Sequence, residues 1–192
     1  GVFAIMNWGA RKDDEDTAAM RYLTPEEVKR YRQLREDGLN DTQIFLEAAP
    51  CKTIGITGSA GKTTTTTLVG EMANFAFQNS EFRILNSERK PGPRSFIGGN
   101  IGDPLINYVD DMTANDLAIL EISSFQLDQM TVSTDIAAIL NITPNHLDRH
   151  GTMEAYAAAK MRLLDFQKPN SIPILGRDDT GSWGARERVK GR

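Results

Sequence analysis

From Cys51 onward, apolar runs of strand length alternate with stretches whose apolar residues recur at helical spacing. Thr53 to Ile56, Leu117 to Ile122, Ile136 to Ile142 and Ile172 to Leu175 are nearly continuous in apolar character, the signature of strands covered on both faces. Ser95 to Ile97 adds a shorter one. Between them, Thr63 to Met72 is helix-capable, Asp103-Pro104 caps a helix through Tyr108 and Val109, and Thr152 caps a long helix to about Phe166. Strands separated by helices predict an α/β fold with a parallel sheet flanked by helices. Gln78 to Ser95 holds Lys90-Pro91-Gly92-Pro93-Arg94, which is loop chemistry with basic residues expected in solvent.

The first fifty residues read differently. Arg11 to Asp16 is a charge run, expected to be solvated. Thr24-Pro25-Glu26-Glu27 combines an N-cap, a proline at the first helical position and a capping-box glutamate, and opens a helix with the thin stripe Val28, Tyr31 and Leu34. Gly38 ends it. A second short helix, capped by Asn40 or Asp41, carries Ile44, Phe45 and Leu46 before Pro50 stops it. The expected organisation is a mostly helical N-terminal remnant or adaptor over residues 1–50 and a larger α/β unit over residues 51–192.

Composition narrows the class. A chain of 192 residues fills one core, or one core and a fragment. Acidic residues outnumber basic ones 26 to 22, for a net charge of −4, which does not suggest a nucleic-acid partner. The single cysteine, Cys51, excludes an intrachain disulfide framework and is expected to be a buried bystander in a reducing compartment. The opening apolar residues, Gly1 to Met6, are too short for a signal-peptide core, and no apolar run reaches bilayer length. The expectation is a soluble, cytoplasmic monomer with no membrane partner.

The candidate chemistry starts at Gly58-Ser59-Ala60-Gly61-Lys62-Thr63-Thr64, between a strand and a helix. Glycines at 58 and 61 let backbone N–H groups approach an anion, and the following helix points its positive dipole end at the same place. Lys62 adds a cation, and the Thr63 hydroxyl is suited to magnesium. Ile56 stands where the general phosphate-loop pattern has its first glycine. In parallel sheets ligands bind beyond the carboxyl ends of the strands. Asn100, then Glu121, Ser123, Ser124 and Gln126, then Asn145, His146, Asp148 and His150 cluster after successive strands. Glu121 interrupts an apolar run, where an uncompensated carboxylate is costly. Magnesium beside a triphosphate would compensate it; an exposed strand end or a lysine partner would do so too.

Taken together, the phosphate loop, Gly98-Gly99-Asn100-Ile101-Gly102, Glu121-Ile122-Ser123-Ser124-Phe125-Gln126-Leu127, the block from Asn141 to Gly151, and Tyr156-Ala157-Ala158-Ala159-Lys160 resemble, in order, the Mur ligase family. The resemblance implies a P-loop ATPase-like central domain using ATP and Mg2+. It further implies amide-bond formation in peptidoglycan precursor synthesis, with UDP-N-acetylmuramoyl-L-alanine and D-glutamate as substrates and an acyl phosphate between the two steps. By the same resemblance Gly58 to Thr64 hold the nucleotide and Lys62 neutralises charge during phosphoryl transfer. Thr63 and Glu121 hold magnesium, His146 and a carbamylated Lys160 form a second metal site, and Asn100, Ser123 and Gln126 contact the muramoyl-alanine.

Another amide ligase of the superfamily, a sibling Mur enzyme or a folylpolyglutamate synthase, stays open, as does a non-catalytic nucleotide-binding module. The family has an N-terminal uridine-holding domain and a C-terminal amino-acid-binding domain. Residues 1–37 match neither, and the chain is expected to be a fragment centred on the ATP-binding domain. Lys160 shares a helix face with Tyr156, Leu163 and Leu164. The alternatives there are a neutral amine ready for carbamylation and a lysine snorkelling to water. His150 is expected to be a solvated loop residue.

Overall fold

The computed structural model describes residues 40–79 and 92–189. Its centre is a sheet of parallel strands, β1 (Lys52–Thr57), β2 (Ser95–Gly99), β3 (Leu117–Glu121), β4 (Ile136–Ile139) and β5 (Ile172–Leu175), in the order β2-β3-β1-β4-β5. The register sets Ile56 opposite Glu121 and Gly99 opposite Glu121, so the carboxyl ends of β1, β2 and β3 finish level. The loops after β1 and β4 leave in opposite directions across the sheet, so the crevice between those neighbours is the topological switch point, where α/β sheets bind ligands.

Helices cover both faces. On one, α2 (Lys62–Asn79) packs Val69 and Ala73 against Ile54, Ile56, Ile119 and Ala138. On the other lie α1 (Asp41–Ala48), α3 (Ser124–Gln129) and α5 (Met153–Asp165), which with a 3-10 helix (Leu105–Asp111) bury Phe45, Leu105, Leu120, Leu127, Ile139, Tyr156 and Leu163 in the larger core. The alternation along β3, with Ala118 and Leu120 to one face and Ile119 to the other, follows from the two-residue strand period. A short helix, α4 (Leu147–His150), precedes α5, and α6 (Thr180–Gly184) follows β5. This is the helix-flanked parallel sheet expected from the sequence.

The differences from expectation are local. The run Ile136 to Ile142 is strand only as far as Ile139; Leu140 N–H makes a last bond to the Thr57 carbonyl of β1, and Asn141 then turns onto the phosphate loop. The helix after that loop continues past Met72 to Asn79. Asp103 caps nothing: the segment beyond Pro104 is a 3-10 helix without a side-chain cap, and the Asp103 carboxylate accepts the Tyr108 hydroxyl at 2.9 Å. Arg94 is not simply solvated, since its guanidinium reaches Asp116 at 3.3 Å. The capping choice at 40 or 41 falls to Asn40, whose side chain accepts the Gln43 N–H at 2.9 Å. The charge run at 11–16, the helix opened by Thr24 and residues 80–91 of the long loop lie outside the described residues.

Candidate active site

β1 ends at Thr57 and the chain turns at Gly58, where a Cβ would lie 3.1 Å from the Leu140 Cβ and 3.2 Å from the Ala60 carbonyl. Gly61 has φ +80°, a conformation that favours glycine, and α2 begins at the next residue. Ile56 replaces the usual first glycine for a packing reason. It is a β1 residue, 1% exposed, whose side chain fills the layer between the sheet and Val69 and Ala73 of α2. The loop is held from β4: Asn141 accepts the Ala60 N–H at 2.8 Å and donates to the Ala60 carbonyl at 3.1 Å, while its own carbonyl accepts Ser59 N–H. Ser59 Oγ donates to the Thr143 carbonyl at 2.9 Å and lies 3.0 Å from the Tyr156 hydroxyl. Ser59, Ala60, Lys62, Thr63 and Thr64 thus surround the N-terminus of α2, a ready anion site.

Next to it, the Thr63 hydroxyl donates to Glu121 Oε2 at 2.7 Å, and Asn100 Nδ2 donates to Oε1 at 3.0 Å. Glu121 is 2% exposed, and among the described residues no lysine or arginine pairs with it. Neither the exposed strand end nor the lysine partner is found. Gly99, with φ +97°, is what lets β2 come this close, because a Cβ there would collide with the Glu121 carbonyl oxygen. A hydroxyl and a carboxylate oxygen side by side at the loop mouth fit magnesium, which needs one or two protein oxygens when phosphates and water complete its shell. Among the described residues no three His, Cys, Asp or Glu side chains converge as a metal cage.

Lys160 reaches the same loop from the opposite face. It is 1% exposed, and its Nζ donates to the Gly58 carbonyl at 3.0 Å and more distantly to Thr57 Oγ1 at 3.4 Å. Snorkelling is therefore excluded. Lys62 Nζ donates to the same carbonyl at 3.1 Å. Burial first, and then the charge of Lys62, lower the Lys160 pKa to about 7.

The remaining predicted residues make separate contacts on α3, α4 and the loop before it. Ser123 and Gln126 make a capping box at the start of α3, and the Gln126 amide also donates to Thr42 Oγ1 at 2.8 Å on α1. His146 is exposed, has φ +52°, and touches Phe125 and Tyr156 by its ring edge, with centroids 5.3 and 6.5 Å away. Lys160 Nζ lies 4.8 Å from the centre of that same Tyr156 ring. The expectation for His150 is corrected. It is half-buried, stacked on Phe125 at 5.2 Å with ring planes 3° apart, and 3.0 Å from Ser124 Oγ through Nε2, because the short α4 folds it back over α3.

Asn141 and Tyr156 stand in the sequence motifs without a role of their own. Asn141 carried a usable signal, since, like Glu121, it is a polar residue at the end of an apolar run. Tyr156 carried one too, four residues ahead of Lys160 on one helix face.

Residues 56–191 match the model of the Mur ligase middle domain. The chain belongs to the Mur ligase family. Among relatives of this Mur ligase segment, the UDP-N-acetylmuramoylalanine–D-glutamate ligase of Clostridium botulinum is 39% identical over 91% of the chain and 35% of its own length. The ligase of the same name from Clostridium kluyveri is 39% identical over 85% of the chain and 32% of its own length. The chain thus spans about a third of the length of these relatives. In three dimensions it resembles the MurF ligase of Thermotoga maritima in complex with ADP, at a TM-score of 0.55 and 24% identity, covering 88% of this chain and 36% of that one. That likeness concerns the fold. Among the described residues no helix is long and apolar enough to cross a membrane.

Proposed function

We propose that this Mur ligase segment is the ATP-binding part of an ATP-dependent ligase that joins D-glutamate to UDP-N-acetylmuramoyl-L-alanine in peptidoglycan precursor synthesis. The observation that carries the reading is the Thr63–Glu121 contact at the mouth of the phosphate loop, where a buried carboxylate with no cationic partner among the described residues meets the N-terminus of α2. The names of its relatives at 39% identity support the choice of D-glutamate over other amino acids.

In this reading the backbone N–H groups from Gly61 to Thr64, where α2 begins, take the β- and γ-phosphates of ATP, Asn141 holds the Ser59 and Ala60 N–H groups that shape the loop, and Lys62 offsets charge that builds on the transferred phosphoryl group. Thr63 and Glu121 would hold Mg2+, which when bound neutralises phosphate charge. The substrate carboxylate attacks the γ-phosphorus, the bond to the β-γ bridging oxygen breaks and ADP leaves. The amine of D-glutamate then attacks the acyl carbon, expels phosphate and loses a proton. Asn100, Ser123 and Gln126 would contact the muramoyl-alanine, Asn100 from its exposed position. Residues 51–192 would form the central domain, with residues 1–50 leading into it.

Lys160 and His146 are assigned to the second metal position. A lysine with a pKa near 7 is largely neutral just above neutrality, and the neutral amine is the form that adds carbon dioxide to give an anionic oxygen ligand. Labelled bicarbonate should give a carbamate carbon-13 signal that is absent in Lys160→Arg; equal spectra from both proteins would remove this assignment. For the nucleotide site, calorimetry should show ATP-magnesium heat with the wild-type chain and roughly tenfold weaker binding in Lys62→Ala, the loss of one charge-assisted contact. Equal heats from the two would refute the proposed site.

A further inference from the structure

The site has two halves on different elements. One is the phosphate loop after β1, and the other is the turn Ser123–Gln126 after β3. For phosphoryl transfer to a carboxylate their separation has to be held to a fraction of an ångström, because misplacement by about 1 Å costs on the order of a hundredfold in rate. β1 and β3 are hydrogen-bonded neighbours, yet both segments lie beyond the end of that ladder. The side chains that bridge them come from the loop and helices after β4.

His150 is one of these, and two kinds of contact meet on it. Its Nε2 lies 3.0 Å from Ser124 Oγ, and Ser124 is 3% exposed and directly follows Ser123. Its ring stacks on Phe125, the next residue, with planes 3° apart at 5.2 Å. Two consecutive residues of the turn are thereby held by one imidazole, in height by the stacking and in rotation by the hydrogen bond. The ring also lies beside Tyr156, with centroids 5.2 Å apart and planes tilted by 58°. Tyr156 is 1% exposed, and its hydroxyl lies 3.0 Å from Ser59 Oγ in the phosphate loop. Ser59 in turn is closed onto Thr143 from both directions, donating to its carbonyl and accepting its N–H, each at 2.9 Å.

We propose that His150 is a positioning residue: through Ser124 and Phe125 on one side and Tyr156 and Ser59 on the other, it sets the spacing between the acyl-substrate turn and the phosphate loop. The proposal rests on the ligase reading for its purpose, while the coupling itself is a property of the folded chain. A residue that merely filled space at α4 would loosen only its own surroundings. A positioning residue transmits its loss to both halves of the site, which are far apart in sequence and are reached through different contacts.

The two contacts can be separated by substitution. His150→Phe keeps a ring to lie between Phe125 and Tyr156 and loses the bond to Ser124; His150→Ala loses both. Amide hydrogen exchange by mass spectrometry on the 192-residue chain reads the result. In His150→Ala, exchange should quicken about fivefold over both 59–61 and 123–127, as expected when one supporting contact is lost from a locally opening segment. In His150→Phe it should quicken over 123–127 and return to the wild-type rate over 59–61, a rescue that a general loosening would not give. ATP-magnesium affinity by calorimetry should fall in His150→Ala and recover in His150→Phe. Faster exchange confined to 147–151, or spread evenly over the whole chain, overturns the proposal. Should His150→Ala not fold, wild-type exchange over 123–127 in His150→Phe overturns it alone. A wild-type chain that gives no heat with ATP and magnesium removes the ligase reading, and the exchange comparison still decides whether His150 couples the two segments.

Discussion

Lys62 and Lys160 both donate to the Gly58 carbonyl, at 3.1 and 3.0 Å. A single carbonyl dipole does not offset two ammonium charges, and Lys160, the buried one, loses its proton more readily, with a pKa lowered to about 7. The consequence for stability has a definite sign. Between pH 7 and the ordinary lysine value of 10.5, the unfolded chain carries a proton that the folded chain lacks, so stability rises with pH across that window. Urea unfolding of the nucleotide-free chain in carbon-dioxide-free buffer should show this rise, and Lys160→Met should abolish it and be more stable than wild type at pH 7. Parallel pH dependence in the two proteins would show that the amine is not held as described. Asp116 makes stability rise with pH as well, but at the acid end of the scale. Burial would raise its pKa, but N–H groups of Thr113 and Arg94, the Arg94 guanidinium and the Thr113 hydroxyl outweigh burial and lower it. Its contribution is present above the ordinary carboxylate range and is lost as pH falls through the lowered value. Asp116→Asn should therefore flatten the acid limb of the stability curve.

Among the elements, α2 shows how a helix can be weak by propensity and strong in place. Its first half is a run of threonines, and Gly70 lies at its centre. Gly70 is buried because Ile97 of β2 enters the space that a side chain would take: an added Cβ would lie 2.5 Å from Ile97 Cγ1. Helix propensity predicts that Gly70→Ala stabilises by about 1 kcal/mol. Overpacking predicts a loss of about 1–3 kcal/mol, and the β-branched Ile97 has little freedom to yield. The loss should win, visible as a lower Tm for Gly70→Ala and partial recovery when Ile97→Val is added. A higher Tm for the single variant would mean that α2 is free to slide from the sheet. The close approach matters for the site as well, since α2 carries Thr63 to Glu121.

For the molecule as a whole, the chain spans about a third of the length of the matched relatives. The 192 residues expressed alone are expected to bind ATP-magnesium without forming the D-glutamyl product. In the family resemblance, uridine and D-glutamate are held by domains on either side of the ATP-binding one, and orienting reactants is worth roughly 7–11 kcal/mol in well-aligned cases. Product detected by mass spectrometry from the pure chain would overturn that expectation. The described part nonetheless ties the region before β1 into the site. Asn40 donates to the Gln126 carbonyl and Thr42 accepts the Gln126 amide, so α1 and the first turn of α3 form one hydrogen-bonded unit.

The order of strands and helices, the glycine turn that opens into α2 and the need of Glu121 for a partner were legible in the residues, because each has a local cause. Apolar runs of a given length make strands, glycines permit one turn and forbid few others, and a carboxylate inside an apolar run demands a partner wherever the chain goes. Asn141 and Tyr156 could have been found by the same reasoning. What local pattern could not contain was who meets whom across the sheet. That β4 should stop at Ile139 and give Asn141 to the phosphate loop depends on β4 lying beside β1, a choice made by the crossover over β1. The burial of Lys160 depends on α5 packing across the end of β1, and the half-burial of His150 on α4 folding back over α3. A residue's type and spacing state what it can do; its solvation and its partners, which set its pKa and its role, come from elements distant in sequence and exist only once the sheet is assembled.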